Sequence, residues 1–343
     1  MKKALIFLLI PFIYCAADVY MTRIITPERM VDMLRILNVE LKGNIALKVH
    51  SGEPNGPYFL RPSFLQNIHD YTGGTFVECN TAYPPYRLET QAHQETLRTN
   101  GWYDNNRRVE ILDEDPAQDV SFDIENHNKI GITYTGQHIL KYDSCLVLSH
   151  FKGHGMGGFG GALKQLSIGF GSTAGKTWIH TAGVSSDYRE FFSKTASNED
   201  FTNSMADAAS AIVKYFKSKG GIAYINVVAN ISISCDCAGQ SAPPPKIKDI
   251  GILASTDPVA LDNACLDLIK QTNEEGTQEF LNQVNNLMGE NTVYKAEALG
   301  VGTREYNLIN VDDESFGETT KESKKNDEGK EEVKGSVLDK SEN

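Results

Sequence analysis

The 343-residue sequence predicts an α/β fold built on a mainly parallel sheet flanked by helices, as one elaborated domain or two closely joined lobes. Two observations carry that prediction. Short runs rich in apolar and β-branched residues alternate with segments of helical length, and several of the runs are apolar at consecutive positions, as strands covered on both faces read. A composition of 40% apolar and 23% charged residues belongs to a globular chain with a core of its own.

The elements follow in order. Lys2 and Lys3 precede an apolar run from Ala4 to Ile13 and then Cys15-Ala16-Ala17, which reads as a secretory signal peptide over 1–17. The run falls short of the ~20 residues that a spanning helix needs. An exported protein, periplasmic or secreted, is expected, and bulky Tyr14 argues against lipid attachment at Cys15. Thr26-Pro27 opens a helix through Leu37, with an N-cap followed by proline at the first helical position. Strands are predicted at Asn44 to His50, Thr75 to Cys79, Val109 to Leu112, Ser144 to His150, Ile222 to Val228 and Asp249 to Ala254. Arg61-Pro62 marks another helix start; Phe201 to Lys217 is long and amphipathic; Asp257-Pro258 caps a helix through Lys270. From Asp312 onward eleven acids and six bases leave hardly an apolar residue, so 312–343 reads as a solvated, disordered tail after a folded unit over 18–311.

Charge and cysteine content narrow the function classes. Acids outnumber bases 45 to 33, net −12, which removes the phosphate attraction that nucleic-acid binding rests on. Nothing in the sequence reads as a multi-span membrane protein, and it offers no signal for a protein partner. Beyond the first 17 residues stand Cys79, Cys145, Cys235, Cys237 and Cys265, an odd number, so at least one thiol is free or bound to something else.

In open α/β sheets ligands sit beyond the carboxyl ends of the strands, and three such ends are rich in polar and glycine residues. They are His50 to Asn55, Asn80 to Tyr83 (with Asn80 and Thr81 as ligand-binding candidates), and Ser149 to Lys164. In the third, Gly157, Gly158, Gly160 and Gly161 let backbone approach a ligand, and a helix beginning near Gly161 would aim free N–H groups at an anion. The alternative is a glycine-rich turn that serves packing. Gly155 to Gly160 matches G-x-G-x-x-G only formally, since it begins five positions after the strand end at His150. Gly171 to Thr177 lacks the first glycine of a Walker loop, Phe170 standing there.

Among the histidines, His69, His93, His127 and His138 read as surface or satisfied residues, whereas His50, His150, His154 and His180 follow strand or glycine-loop signals. Neutral imidazoles move protons or bind metals near neutral pH, which makes these four the candidate centre. Cys235-Asp236-Cys237 can present two thiolates to a soft metal, with zinc, nickel or copper favoured over magnesium or calcium, or it is an ordinary loop with two thiols. Cys145 and Cys265 read as core thiols.

These pieces, in this order, resemble the family called domain of unknown function 362, often labelled Fe–S centre proteins. The resemblance runs from about Asp18 to Val311 and rests on Lys48-Val49-His50 through Gly52-Glu53-Pro54, Asn80-Thr81-Ala82-Tyr83, Ser149-His150-Phe151-Lys152-Gly153-His154 through Gly160-Gly161-Ala162-Leu163-Lys164, Cys235-Asp236-Cys237, and Asp249 to Ala254 with Asp257-Pro258. Many relatives carry a ferredoxin-like insert that this chain lacks, so no iron–sulfur cluster is expected. The family is in turn distantly similar to the lactate-racemase superfamily. There a histidine, a lysine ten residues later and a second histidine sixteen further on surround a nickel-pincer nucleotide, and His154, Lys164 and His180 stand at those spacings. The resemblance implies His154 as acid/base, Lys164 as cofactor anchor and His180 as metal ligand, with His150 beside them.

Two function classes follow. One is a metal- or anionic-cofactor-dependent enzyme on a small hydroxy or carboxylate compound, racemase- or epimerase-like, with nickel or zinc as the metal. The other is a secreted, non-catalytic anion- or metal-binding protein that has lost the iron–sulfur insert.

Overall fold

The computed structural model describes residues 15–103, 108–233 and 236–313. The expected signal segment, all but its last three residues, and the tail beyond Asp313 lie outside the described residues.

Eight strands form one sheet flanked by helices. The chain opens with β1 (Ala17–Thr22) and α1 (Pro27–Leu37), whose Thr26 side chain accepts from the N–H of Arg29 as the sequence expects. It continues through β2 (Ile45–Lys48), α2 (Pro62–Thr72), β3 (Thr75–Glu78), α3 (Thr90–Thr99) and β4 (Val109–Ile111). A small ribbon of β5 (Val120–Asp123) and β6 (Ile132–Thr135) precedes the central β7 (Ser144–His150). After it come a hairpin of β8 (Lys152–His154) and β9 (Gly158–Gly160), one helical turn α4 (Ala162–Lys164), and α5 (Thr173–His180). The last part holds α6 (Asn198–Lys217), β10 (Ile222–Val228), β11 (Gly251–Ser255), α7 (Pro258–Lys270), α8 (Thr277–Asn286), α9 (Gly289–Ala298) and β12 (Tyr306–Asn310).

The sheet order is β12-β1-β11-β10-β7-β2-β3-β4. Every neighbouring pair from β10 to β4 is parallel, and so is β1 with β12, whereas β11 runs antiparallel to both of its neighbours. The strand at Asp249 to Ala254 is therefore real but reversed. Period-two alternation sends Cys145 and Val147 of β7 into one core and Leu146 and Leu148 into the other, so both faces of the sheet are buried. That is why the strand reads as a continuous apolar run. Among the described residues no helix is long and apolar enough to cross a membrane.

The chain leaves β2 toward β3 and β4 on one side, and leaves β7 toward β10 on the other. The carboxyl ends of β2 and β7 thus flank the point where the winding reverses, the place where open α/β sheets leave a crevice. His50 and His150 stand there.

Candidate functional site

A cavity of about 320 Å³ opens at this reversal point. It is lined by His50, His150, His154 and His180, by Lys152, Lys164 and Lys176, and by Glu78 and Arg87 at its base. The three polar strand ends singled out in the sequence, and His180 from α5, meet here.

Beneath the cavity lies a closed network of charges. Lys48, fully buried, donates to Glu78 Oε2 at 2.5 Å. Glu78 Oε1 also accepts from the N–H of Ser51 (3.2 Å) and from Arg87 Nη1 (3.3 Å), while Arg87 Nη2 donates to Glu53 at 2.6 Å. Burial alone would raise the Glu78 carboxyl, but Lys48, His50 and Arg87 hold it well below the usual carboxylate range. Nδ1 of His50 lies 3.6 Å from Glu78 Oε1. Asn80 belongs to this scaffold and not to the cavity wall: its side chain bonds His93, Thr90 and the Asp113 carbonyl. Of the two residues expected to bind a ligand there, Asn80 is thus engaged within the scaffold and Thr81 lines the cavity.

Facing the network are groups with fewer partners. Among the described residues the side-chain ammonium of Lys164 makes no hydrogen bond or ion pair. Burial first, then Arg87 and Lys176, bring its ammonium down to about 8. Lys152 is pushed well below the ordinary lysine value by burial and by Lys164, whereas Lys176 is anchored by donating to the Gly171 carbonyl at 2.5 Å. Burial takes His50, His150 and His180 down to about 3, so all three are neutral at physiological pH.

The ring nitrogens are not equivalent. His150 donates from Nε2 to the Ala229 carbonyl at 2.6 Å. Nδ1 of His154 accepts two backbone N–H groups, from Gly157 at 3.0 Å and Met156 at 3.3 Å. An acceptor at Nδ1 fixes the Nε2–H tautomer, so His154 offers a donor to its surroundings and no free lone pair. Of its expected acid/base role, that geometry suits the donor half. His180 is stacked on Phe201, with ring centroids 4.4 Å apart, and its buried Nδ1 has no partner among the described residues.

The glycines divide. Of the four glycines expected at a cofactor, Gly160 and Gly161 line the cavity and Gly157 and Gly158 do not. Gly158, at φ +76°, lies where a Cβ would meet the Gly289 backbone at 2.9 Å, so the hairpin tip packs against the start of α9. The helix turn at Gly161 does present free N–H groups, yet Asp262 takes them: its carboxylate accepts from Ala162 at 2.8 Å and Leu163 at 2.9 Å, and from Asn226 at 2.7 Å. A Cβ on Gly161 would lie 2.3 Å from that carboxylate. The expected external anion is replaced there by an internal one.

Cys235 and the side chain of Cys237 lie outside the described residues. Among the described residues no group of three or more His, Cys, Asp or Glu side chains is arranged to hold a metal ion. Residues that the sequence reading passed over are Glu78, Arg87, Lys176 and the aromatic pair Phe191 and Phe192, all on the cavity wall. Lys48 and Glu78 had a signal: each is a charge inside a strand covered on both faces, which only a buried partner tolerates. Arg87 and the two phenylalanines come from loops and had none.

The sequence profile of a family described as Domain of unknown function (DUF362) matches residues 45–267. No curated protein sequence matches the chain. Among solved structures, the lactate racemase apoprotein from Thermoanaerobacterium thermosaccharolyticum is similar at a TM-score of 0.44 and 11% identity, covering 74% of this chain and 57% of that one. A structural-genomics protein from Thermotoga maritima is similar at a TM-score of 0.38 and 10% identity, covering 80% and 59%. The chain thus spans less than two thirds of either neighbour.

Proposed function

The chain belongs to the DUF362 family, and from that premise and the cleft we propose an enzyme that binds a small hydroxy- or carboxylate anion and moves a proton on it, as a racemase or epimerase does. One observation carries this reading: Lys164 stands without a partner among the described residues in a cavity it shares with four histidines. An amine near 8 is partly neutral at physiological pH and therefore nucleophilic.

The roles follow from the bonding. Lys164 anchors a carbonyl-bearing group through its amine or, protonated, pairs with the substrate anion, and Lys152 on the same wall adds positive charge when an anion beside it favours its protonated form. His154 donates through Nε2–H to a substrate oxygen. His50, neutral and 3.6 Å from Glu78, carries the proton, because the carboxylate orients the ring and stabilises its charged form. Glu78 raises the His50 ring, but burial outweighs it and leaves the ring at about 3, so the proton rests on His50 only transiently.

A nickel-pincer nucleotide, which the resemblance implies, suits this donor set better than a bare ion. Lys164 would hold its organic part and the unpartnered nitrogen of His180 would supply one ligand, while the described residues offer no group of three or more. When bound, such a group supplies a metal-based electron sink beside the substrate carbon. We place the mature protein outside the cytosol, on the strength of the 1–17 segment, and take 18–311 as its folded unit.

The test combines intact mass and metal analysis of native protein with exchange of the 2-proton of hydroxy acids in deuterated water. An adduct on Lys164 or stoichiometric nickel, with exchange lost in Lys164→Ala, is expected. Unmodified lysine, no transition metal and no exchange would overturn the reading, and anion binding without exchange would leave the protein a binder.

A further inference from the structure

The cavity wall carries buried charged and imidazole groups, and an aromatic ring at its solvent edge. Lys152, His150, His180 and Arg87 are all about 5% exposed, whereas Phe192, on the same wall, is 72% exposed. Rings step inward from it: Phe192 meets Phe191 edge-on at 4.8 Å, and Phe191 stands 4.5 Å from His180 and 6.1 Å from Tyr83. The segment bearing these rings also exposes Val184 (64%) and Tyr188 (40%), so it carries three large exposed apolar side chains within nine residues. Single exposed apolar residues need no explanation, but a run that leads into a cationic cavity does.

Size points the same way. At about 320 Å³ the cavity falls within the roughly 300–1,000 Å³ of pockets that enclose drug-sized ligands. A three-carbon hydroxy acid would leave most of it to water.

From this arrangement we infer that the ligand is an amphiphilic anion: a carboxylate-bearing head held at Lys164 and the histidines, with an aryl or branched-alkyl group lying along Phe191 and Phe192. The inference rests on the anion-binding reading above and names the substrate class for that same cleft. Phe192 is then the residue that sets specificity. Being mostly exposed, it can be replaced with little effect on folding.

The experiment measures affinity calorimetrically for lactate, 2-hydroxyisocaproate and 3-phenyllactate, on the full chain as purified, with the Lys164 mass and metal content recorded. Burying the phenyl or isobutyl group should tighten binding by about 10- to 100-fold over lactate, and Phe192→Ala should cut that ratio about fivefold or more with the melting temperature unchanged. Equal affinities for the three acids, or an unchanged ratio in Phe192→Ala, would overturn the inference and leave the anion-binding reading standing. Binding of none of the three would overturn both. A concentration-dependent dimer that Phe192→Ala dissolves would assign the aromatic rim to a second copy of the chain and overturn the inference as well.

Discussion

The two walls of the cleft are built on opposite principles. On the β2–β3 side, Lys48, Glu78, Arg87 and Glu53 satisfy one another in a closed set of buried bonds. On the hairpin and α4 side, Lys164 stands unpaired among the described residues and His154 turns its accepting nitrogen away into its own backbone. The difference teaches where to look for a ligand: charges that answer each other hold a scaffold, and charges left unanswered await something from outside.

Acid is expected to have the largest effect on this contrast. His50, His93, His150 and His180 stay neutral in the fold down to about 3, whereas in the unfolded chain they take protons near the ordinary value of 6.5. Between those limits the unfolded state binds more protons, so the histidines' contribution to stability is full above pH 6.5 and falls as pH drops, at up to about 1.4 kcal/mol per pH unit for each histidine. Glu78 adds to the loss at the lowest pH; Asp262, raised to about 6 by burial, opposes it slightly between 6 and 4. Urea denaturation from pH 8 to 4 checks the slope, and a flat profile would break the comparison.

Glu78→Leu comes next. It strands Lys48 in a dry interior, leaving Arg87 only Glu53, and should cost about 3–5 kcal/mol, measured by urea denaturation at pH 7.5. Asp262→Ala leaves the N–H groups of Ala162 and Leu163 without their acceptor and should cost about 1–3 kcal/mol by the same measurement. The smallest effect on stability belongs to Lys164→Met. Removing a charge with no partner should change stability by less than about 0.5 kcal/mol or raise it, while abolishing any adduct and anion binding. A loss of several kcal/mol from Lys164→Met would show that the two walls do not differ as described.

Much of the fold was legible because its rules are local. Consecutive apolar residues gave the six predicted strands, and Thr26-Pro27 and Asp257-Pro258 marked helix starts that the caps bear out. The reversal of β11 was not legible, since an apolar run carries no direction. Four histidines and the Ser149 to Lys164 loop were found from strand ends, but their bonding was not. Which nitrogen of His154 is occupied depends on a tight turn at Met156 and Gly157, and the occupant of the α4 N–H groups, Asp262, lies 100 residues away. Glycine density signalled close approach correctly; it could not say that the approaching group is another helix or a carboxylate of the same chain.

The hairpin that carries His154 is pinned from beyond the part of the chain that the family profile matches. Gln283 of α8 donates to the Gly158 carbonyl at 3.2 Å, and Gly289 opens α9 against the hairpin tip. Both residues follow position 267, where the match ends. A relative could keep every residue of the shared signature and still present the imidazole differently if its two terminal helices were shorter or displaced. Grafting the 45–267 segment onto another C-terminus would therefore transplant the letters of the site without its aim, and comparisons within the family should weigh these helices alongside the motif.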